Sequence, residues 1–522
     1  MDAAPPRLKV GIPKETFPGE RRVAATPTSV ARIAKLGVDV LIEAGAGEAA
    51  SFLDSAYAEA GARIVPDGVT LFAEADLILK VRAPFDAEGG HEVDRLREGA
   101  ALVSFIWPAQ NRELLERLQA KKATVLGMDA VPRTTRAQRM DALSATANLA
   151  GYRAVIEAAA HFGRPFGAQT TAAGRIKPAR VLVIGAGVAG LAAIAAARAL
   201  GAVVSAFDTR PTVREQIQSL GATFLPFEWK GETGEGDGGY ARQMSDAYLE
   251  AEQTFIAQYA KQSDIIITTA LVPGIPAPKL ITSGAVVSMA RGSVIVDLAA
   301  EQGGNCALTD PGNAVEKFGV RILGFTDLPS RMAPQASELY AATVHQLLEL
   351  VLKDGKLTLD YEDEVQRGAL IVHEGKITWP PPKLAIRAGA PAVGPTGTHK
   401  TIKEEPPPSP WPVRIGVALA LPLLVLLGLF GAPSLLQHMT VFLLACIVGW
   451  HVVWNVTPAL HTPLMSVTNA VSGIILIGGL LLGRGRDLTV TTILGAVAVL
   501  LASINVAGGF RVTARMLRMF RR

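Results

Sequence analysis

Apolar residues are unevenly distributed along this chain, and that unevenness limits its fold more than any other feature. Residues 1–405 read as ordinary soluble α/β sequence, whereas almost everything after Trp411 is apolar. Four runs there, 413–430, 440–456, 464–482 and 490–507, are nearly free of charge. A membrane-spanning helix needs roughly 20 such residues to cross about 30 Å of hydrocarbon. Core helices are apolar too, but four in succession with nothing soluble after them predict a bundle of four transmembrane helices over residues 412–510. Composition agrees: 49% hydrophobic against 19% charged residues is too apolar for an average soluble chain.

Four spans return both ends to one side of the membrane. Arg414 and the tail arginines Arg511, Arg515, Arg518, Arg521 and Arg522 then share the side of the N-terminal region, as the positive-inside tendency requires. Arg484 and Arg486, between the third and fourth spans, oppose that arrangement. The N-terminus, MDAAPPRLKVGIPKE, has no apolar core of signal-peptide length. A multi-pass protein of a bacterial-type inner (plasma) membrane is expected, in contact with lipid, with its N-terminal region and a basic tail (511–522) in the cytoplasm. No basic stripe interleaved with aromatics marks the soluble part, so nucleic acid is not an expected partner. Cys306 and Cys446 have no CxxC partner, which argues against a disulfide framework or a zinc site, and no metal is expected.

Within the soluble part, short apolar runs at 8–12, 38–43, 77–81, 102–106 and 124–127 alternate with helical stretches. A second βα series follows with strands at 180–184, 203–208, 265–268, 294–297 and 321–324. This rhythm predicts an α/β chain with two Rossmann-like domains built on parallel sheets. Residues 142–162 have few breakers and read as a long connecting helix, and 334–353 as an amphipathic one. The expected division is a first domain of 1–141 with 333–380, a nucleotide-binding domain of 142–332, and a Pro-rich linker at 381–411.

Residues 181–191 read VLVIGAGVAGL and carry the strongest chemical signal. Gly185 permits the tight turn, Gly187 lets the backbone approach a pyrophosphate, and Gly190 lets helix and strand pack closely. Val188 and Ala189 open a helix whose N-terminus faces the phosphates. The glycine spacing alone is weak, but here a strand precedes it and an Ala-rich helix follows. A second strand then ends in Asp208, followed by Thr209 and Arg210. A carboxylate about 20 residues on is where the adenosine ribose hydroxyls of NAD are bound. Asp208 would repel the 2′-phosphate of NADP; Arg210 argues the other way unless it is solvated or lies on the adenine face. The preferred cofactor is NAD(H). The chain has no second fingerprint, so any second nucleotide binds elsewhere.

Longer stretches carry a family resemblance. KVGIPKET with GERRVAATP (9–27), LKVRAP (79–84), RAQRMDALS (136–144) with NLAGYRAV, TTALVPGIPAP (268–278) and HTPLMSVTNAVSG (461–473) resemble the NAD(H)-binding, membrane-anchored component of proton-translocating NAD(P) transhydrogenases. The resemblance covers nearly the whole chain apart from the linker. It implies hydride transfer between NADH here and NADP(H) bound on a partner β subunit, coupled to proton translocation, in an α2β2 assembly. It places the nicotinamide-positioning residues at Arg133, Gln138, Asp141 and Ser144, with Gln138 bridging to the second nucleotide. It adds Thr269, Ala270 and Leu271 to the cofactor contacts, together with Tyr240 in an acidic, glycine-rich loop (231–240) that the family uses as a lid. Direct transfer between two nicotinamides needs no protein acid or base, only rings held close and aligned.

Alanine dehydrogenase shares the VGIPKE and GERRVA openings and is the competing reading. Oxidising an amino acid needs a lysine for the substrate's carboxylate or carbonyl and a histidine as general acid–base. Where that family has the lysine this chain has Arg82, and where it has the histidine it has Trp107. A membrane-tethered NAD sensor is a third reading, which leaves Gln138 and the 231–240 loop without a role. His438, His451 and His461 lie at or near span ends and read as interfacial or interhelical hydrogen bonders.

Overall fold

The computed structural model describes residues 7–87, 89–227, 229, 245–271, 276–381, 432–455, 473–482 and 489–519. The predicted first span, most of the linker, Tyr240 and His461 lie outside the described residues. The chain divides into two compact units, Met1–Gly397 and Thr398–Arg522.

Two parallel sheets build the first unit. The eight-stranded sheet runs in the order Lys376–Ile377, Leu370–His373, Thr124–Gly127, Ala101–Ser104, Leu77–Leu79, Lys9–Ile12, Asp39–Glu43, Arg63–Val65. Its last six strands are mutually parallel, and Leu370–His373 joins antiparallel to Thr124–Gly127. Ala101–Ser104 and Thr124–Gly127 are buried at every residue, so they read as continuous apolar runs without alternation. Helix Ala333–Val351 lays Tyr340, Val344, Leu347, Leu348 and Val351 into this sheet's core. The Tyr340 hydroxyl also donates to the Lys80 carbonyl at 2.7 Å.

The second sheet has seven strands in the order Thr223–Phe224, Val203–Phe207, Arg180–Ile184, Ile265–Thr268, Val294–Asp297, Val320–Leu323, Ala314–Lys317. All pair in parallel except the last. Strand order reverses between Arg180–Ile184 and Ile265–Thr268, and the crevice at such a switch point is where doubly wound sheets bind ligands. Helix Ala142–His161 packs along Val188–Ala199 beside this crevice.

In the second unit the described helices are Pro433–Asn455, a stretch at 473–482, and Val490–Met519. Among the described residues, Val490–Gly508 is long and apolar enough to cross a membrane, with a mean hydropathy of 2.1 over 19 residues; Leu436–His451 and Gly473–Leu482 are shorter apolar helices. A Cβ on Gly479 would stand 2.9 Å from the Gly495 carbonyl and 2.7 Å from a Val499 methyl, so two helices meet there at a small-residue contact. The last helix continues through Arg511, Arg515 and Arg518, where the sequence reading has a separate tail.

Candidate dinucleotide site

Strand Arg180–Ile184 ends at Gly185, whose φ of +92° suits glycine alone among common residues. The Gly185 N–H donates to the Phe207 carbonyl at 2.8 Å, which ties the turn to the neighbouring strand. Gly187 then caps helix Val188–Ala199. The three glycines meet different surroundings. A Cβ on Gly190 would fall 1.9 Å from the Gly185 carbonyl oxygen, so glycine there is a packing requirement. Among the described residues a Cβ on Gly187 would meet nothing within 4 Å, so its glycine leaves the helix N-terminus clear for an incoming anionic group. Val188 is 39% exposed at the mouth of this turn.

Asp208 follows strand Val203–Phe207 and is 9% exposed. Its Oδ2 accepts the Ala186 N–H at 2.7 Å, so the carboxylate braces the glycine turn directly. Arg210 returns on it: Nε and the backbone N–H reach Oδ1, and Nη2 reaches Oδ2, each at 2.8 Å. The structure therefore pairs Arg210 with Asp208, where the sequence reading had it solvated or against an adenine ring. Thr209 links the two, and its buried hydroxyl has no hydrogen-bond partner among the described residues.

The third strand end supplies Thr269, Ala270 and Leu271. Thr269 donates its amide to Ile184 at 2.8 Å and its hydroxyl to the Gly185 carbonyl at 3.0 Å, closing the floor under the glycine turn. Asn305, fully buried, accepts from the Ala270 N–H at 3.1 Å and donates to the carbonyls of Ala270 and Pro278 at 2.8 and 2.9 Å. This asparagine fixes the loop beside the crevice, and the sequence analysis did not single it out. A lone Asn in a Gly-rich turn carries no recognisable signal.

The 133–144 segment forms a 3-10 turn, Thr135–Met140, that buries Ala137 and Met140 and leaves Arg133, Gln138 and Arg139 exposed. Arg136 holds the turn to Asp363 through an ion pair. Asp141 caps helix Ala142–His161, with Oδ1 accepting the Ser144 amide at 2.8 Å and Oδ2 the Ser144 hydroxyl at 2.6 Å. Asp141 and Ser144 are thus brought together as a capping pair that sets the entry of the helix. Nine residues along, Gly151 crosses Val188–Ala199: a Cβ there would lie 2.0 Å from the Ala189 carbonyl oxygen. At 1.5 Å per residue, the crossing sits roughly 13 Å along the helix from its start at Ala142, so one helix connects the 133–144 turn to the phosphate-facing end of the other. Gly151 is a second position that the sequence analysis did not single out.

Between the two sheets, charged residues are already engaged with one another. Glu20 accepts Nε and Nη2 of Arg22 at 2.7 and 2.6 Å and Nε of Arg82 at 2.8 Å, and Ser330 donates to it as well. Burial alone would raise the Glu20 carboxyl; the charge and hydrogen bonds of Arg22, with Arg82, overcome it and hold the group well below the usual carboxylate range. Arg82 also donates Nη1 to Glu301 of the second sheet's domain at 2.8 Å. Trp107, at φ +53°, is pinned by Asp129 through its amide at 2.8 Å and stacks on Phe105. Arg82 is thus committed to Glu20 and Glu301, and the Trp107 indole has no titratable proton for acid–base work.

Residues 11–150 match the family model for the alanine dehydrogenase/PNT N-terminal domain, 154–380 that for its C-terminal domain, and 438–522 that for the 4TM region of pyridine nucleotide transhydrogenase. The chain is 50% identical to the NAD(P) transhydrogenase subunit alpha of Cereibacter sphaeroides, over 99% of this chain and 100% of that one. It is 51% identical to the subunit of the same name from Haemophilus influenzae, again over 99% and 100%. Among solved structures, the transhydrogenase from Sinorhizobium meliloti superposes with a TM-score of 0.64 at 42% identity, covering 71% of this chain and 99% of that one.

Proposed function

The chain belongs to the family of NAD(P) transhydrogenase alpha subunits, and from that premise we propose that it binds NADH and passes hydride to NADP+ held on a partner β subunit, with proton movement across the membrane coupled to the transfer. The observation that carries this reading is the combination at the crevice. A glycine turn with a clear helix N-terminus is linked through helix Ala142–His161 to a turn whose Gln138 is exposed, and by resemblance Trp107 stands where the alanine dehydrogenases have their histidine.

On this reading the amides around Gly185, Gly187, Val188, Ala189 and Gly190 receive the pyrophosphate. Asp208 receives the adenosine ribose, with Thr209 and Arg210 lining the same turn. Thr269, Ala270 and Leu271 form the wall along which the nicotinamide end lies. Asp141 and Ser144 hold the start of helix Ala142–His161 in register so that Arg133 and Gln138 meet the reacting end. When bound, NADH supplies the hydride; the residues of this chain orient the ring and keep its reactive face toward the partner, and no side chain here moves a proton in the transfer. Tyr240, outside the described residues, is assigned to a lid over the same site. The 4TM region anchors the subunit and meets the partner's membrane helices, two alpha with two beta, in an inner membrane with the nucleotide unit on the cytoplasmic face.

The test uses the purified full chain. NADH is expected to drive reduction of an NADP analogue only when a β-type partner is supplied. Equal activity without the partner, or oxidation of alanine by the chain alone, would overturn the proposal.

A further inference from the structure

Asp208 has no acceptor position left over. An ionised carboxylate offers about four lone-pair sites on its two oxygens, and here four N–H donors of this chain fill them: Ala186 and Nη2 of Arg210 on Oδ2, and the amide and Nε of Arg210 on Oδ1. Two of these donors are backbone amides fixed by the turn. The other two belong to one guanidinium, whose side chain is 14% exposed and whose fork matches the carboxylate edge. A ribose 2′- or 3′-hydroxyl that donates to Asp208 needs one of those sites, and only the guanidinium can leave without a change of backbone at Ala186 or Arg210.

We propose that Arg210 is a positioning residue that competes with the adenosine ribose for Asp208 and thereby sets how tightly the chain holds its dinucleotide. This rests on the assignment of Asp208 to the ribose. The consequence is quantitative: apparent affinity is the intrinsic affinity reduced by the fraction of time the carboxylate is available. A bidentate pair that keeps Asp208 engaged nine-tenths of the time weakens binding about tenfold.

The experiment is NADH binding to the purified full chain, followed by NADH fluorescence at neutral pH, in the wild type, Arg210→Gln, Arg210→Lys and Asp208→Asn. Arg210→Gln should bind NADH about tenfold more tightly. Arg210→Lys, which keeps the charge but loses the planar fork, should fall between the two and serves if the glutamine variant does not fold. The gain should appear with AMP and disappear with 2′,3′-dideoxy-AMP, a difference that a general loosening of the loop would not produce. Unchanged or weaker binding in both arginine variants, or an equal gain for the two nucleotides, overturns the proposal. Asp208→Asn should weaken NADH; if it does not, the ribose assignment itself fails, whatever the arginine variants do.

Discussion

Two carboxyls of the first unit, both almost without solvent contact, are shifted in opposite directions, and the reason is the company each keeps. Glu252 is 4% exposed on the buried stripe Tyr248, Glu252, Ile256, Ala260 of helix Asp246–Ala260. It shares that stripe with a nest of rings in which Phe227 packs on Phe207, Tyr248 and Phe255. Burial pushes its carboxyl up to about 8, and the nearby charge of Asp208 adds to the rise. Below the ordinary value of 4.5 the proton is bound in both folded and unfolded chains; between 4.5 and about 8 only the folded chain keeps it. Stability therefore falls as pH rises through that window and levels off above it. Glu252→Gln should remove this slope and be more stable than wild type at pH 8.5 by roughly 2–5 kcal/mol. Denaturant unfolding at pH 5 and 8.5 checks this; parallel slopes in the two proteins would refute it. Glu20 has the reverse sign. Arg22 and Arg82 hold its carboxyl low, so its contribution is complete above about 4.5, the ordinary carboxylate value, and is lost as pH falls below. Glu20→Gln leaves a buried guanidinium without its counter-charge and should cost about 3–5 kcal/mol at pH 7, measured by the same unfolding assay.

At the scale of elements, legibility followed burial and sequence separation. Strands buried on both faces are visible as apolar runs: the predicted 124–127, 180–184, 265–268 and 294–297 coincide with the observed bounds. The long helix expected over 142–162 ends one residue earlier. Short edge strands such as Arg63–Val65 and Thr223–Phe224 were not legible, because three or two residues carry no period. Leu370–His373 was missed because its place beside Thr124–Gly127 is decided by pairing across nearly 250 positions. Site legibility divides in the same manner. A glycine motif has a local signal, whereas the Arg210–Asp208 pair depends on rotamers, and the Gly151 crossing depends on which two helices touch. That crossing gives a prediction for elements. A methyl at Gly151 would sit 2.0 Å from the Ala189 carbonyl oxygen, so the two helices must separate. Gly151→Ala should lower stability by about 1–3 kcal/mol and weaken NADH as the phosphate turn shifts. Gly187→Ala makes the contrast, since its methyl meets nothing within 4 Å among the described residues. It should leave unfolding unchanged and weaken NADH alone. Denaturation and NADH titration of both variants decide; a stable Gly151→Ala with native affinity would show that the crossing does not position the turn.

The whole molecule joins two units that satisfy their apolar surface in different ways. In the described part of Met1–Gly397 four clusters of buried residues cover both sheets on either face. In the described part of Thr398–Arg522, by contrast, Ala502 is buried but the large apolar side chains turn outward: Phe442, Leu444, Trp450, Leu481, Leu494 and Leu501 are all more than half exposed. Side chains of that kind turned outward on helices have hydrocarbon as their natural solvent. The two halves should therefore separate in experiment. Residues 1–397 expressed alone are expected to be soluble without detergent, to unfold cooperatively, and to bind NADH within about twofold of the full chain, since the glycine turn, Asp208 and the 133–144 turn all lie inside that unit and near-additive independence is expected of sites without shared partners. Residues 398–522 should instead fractionate with membranes and require detergent for extraction. Loss of NADH binding from the isolated first unit would mean that the membrane unit helps to form the nucleotide site, and the division of labour proposed for this subunit would have to be redrawn.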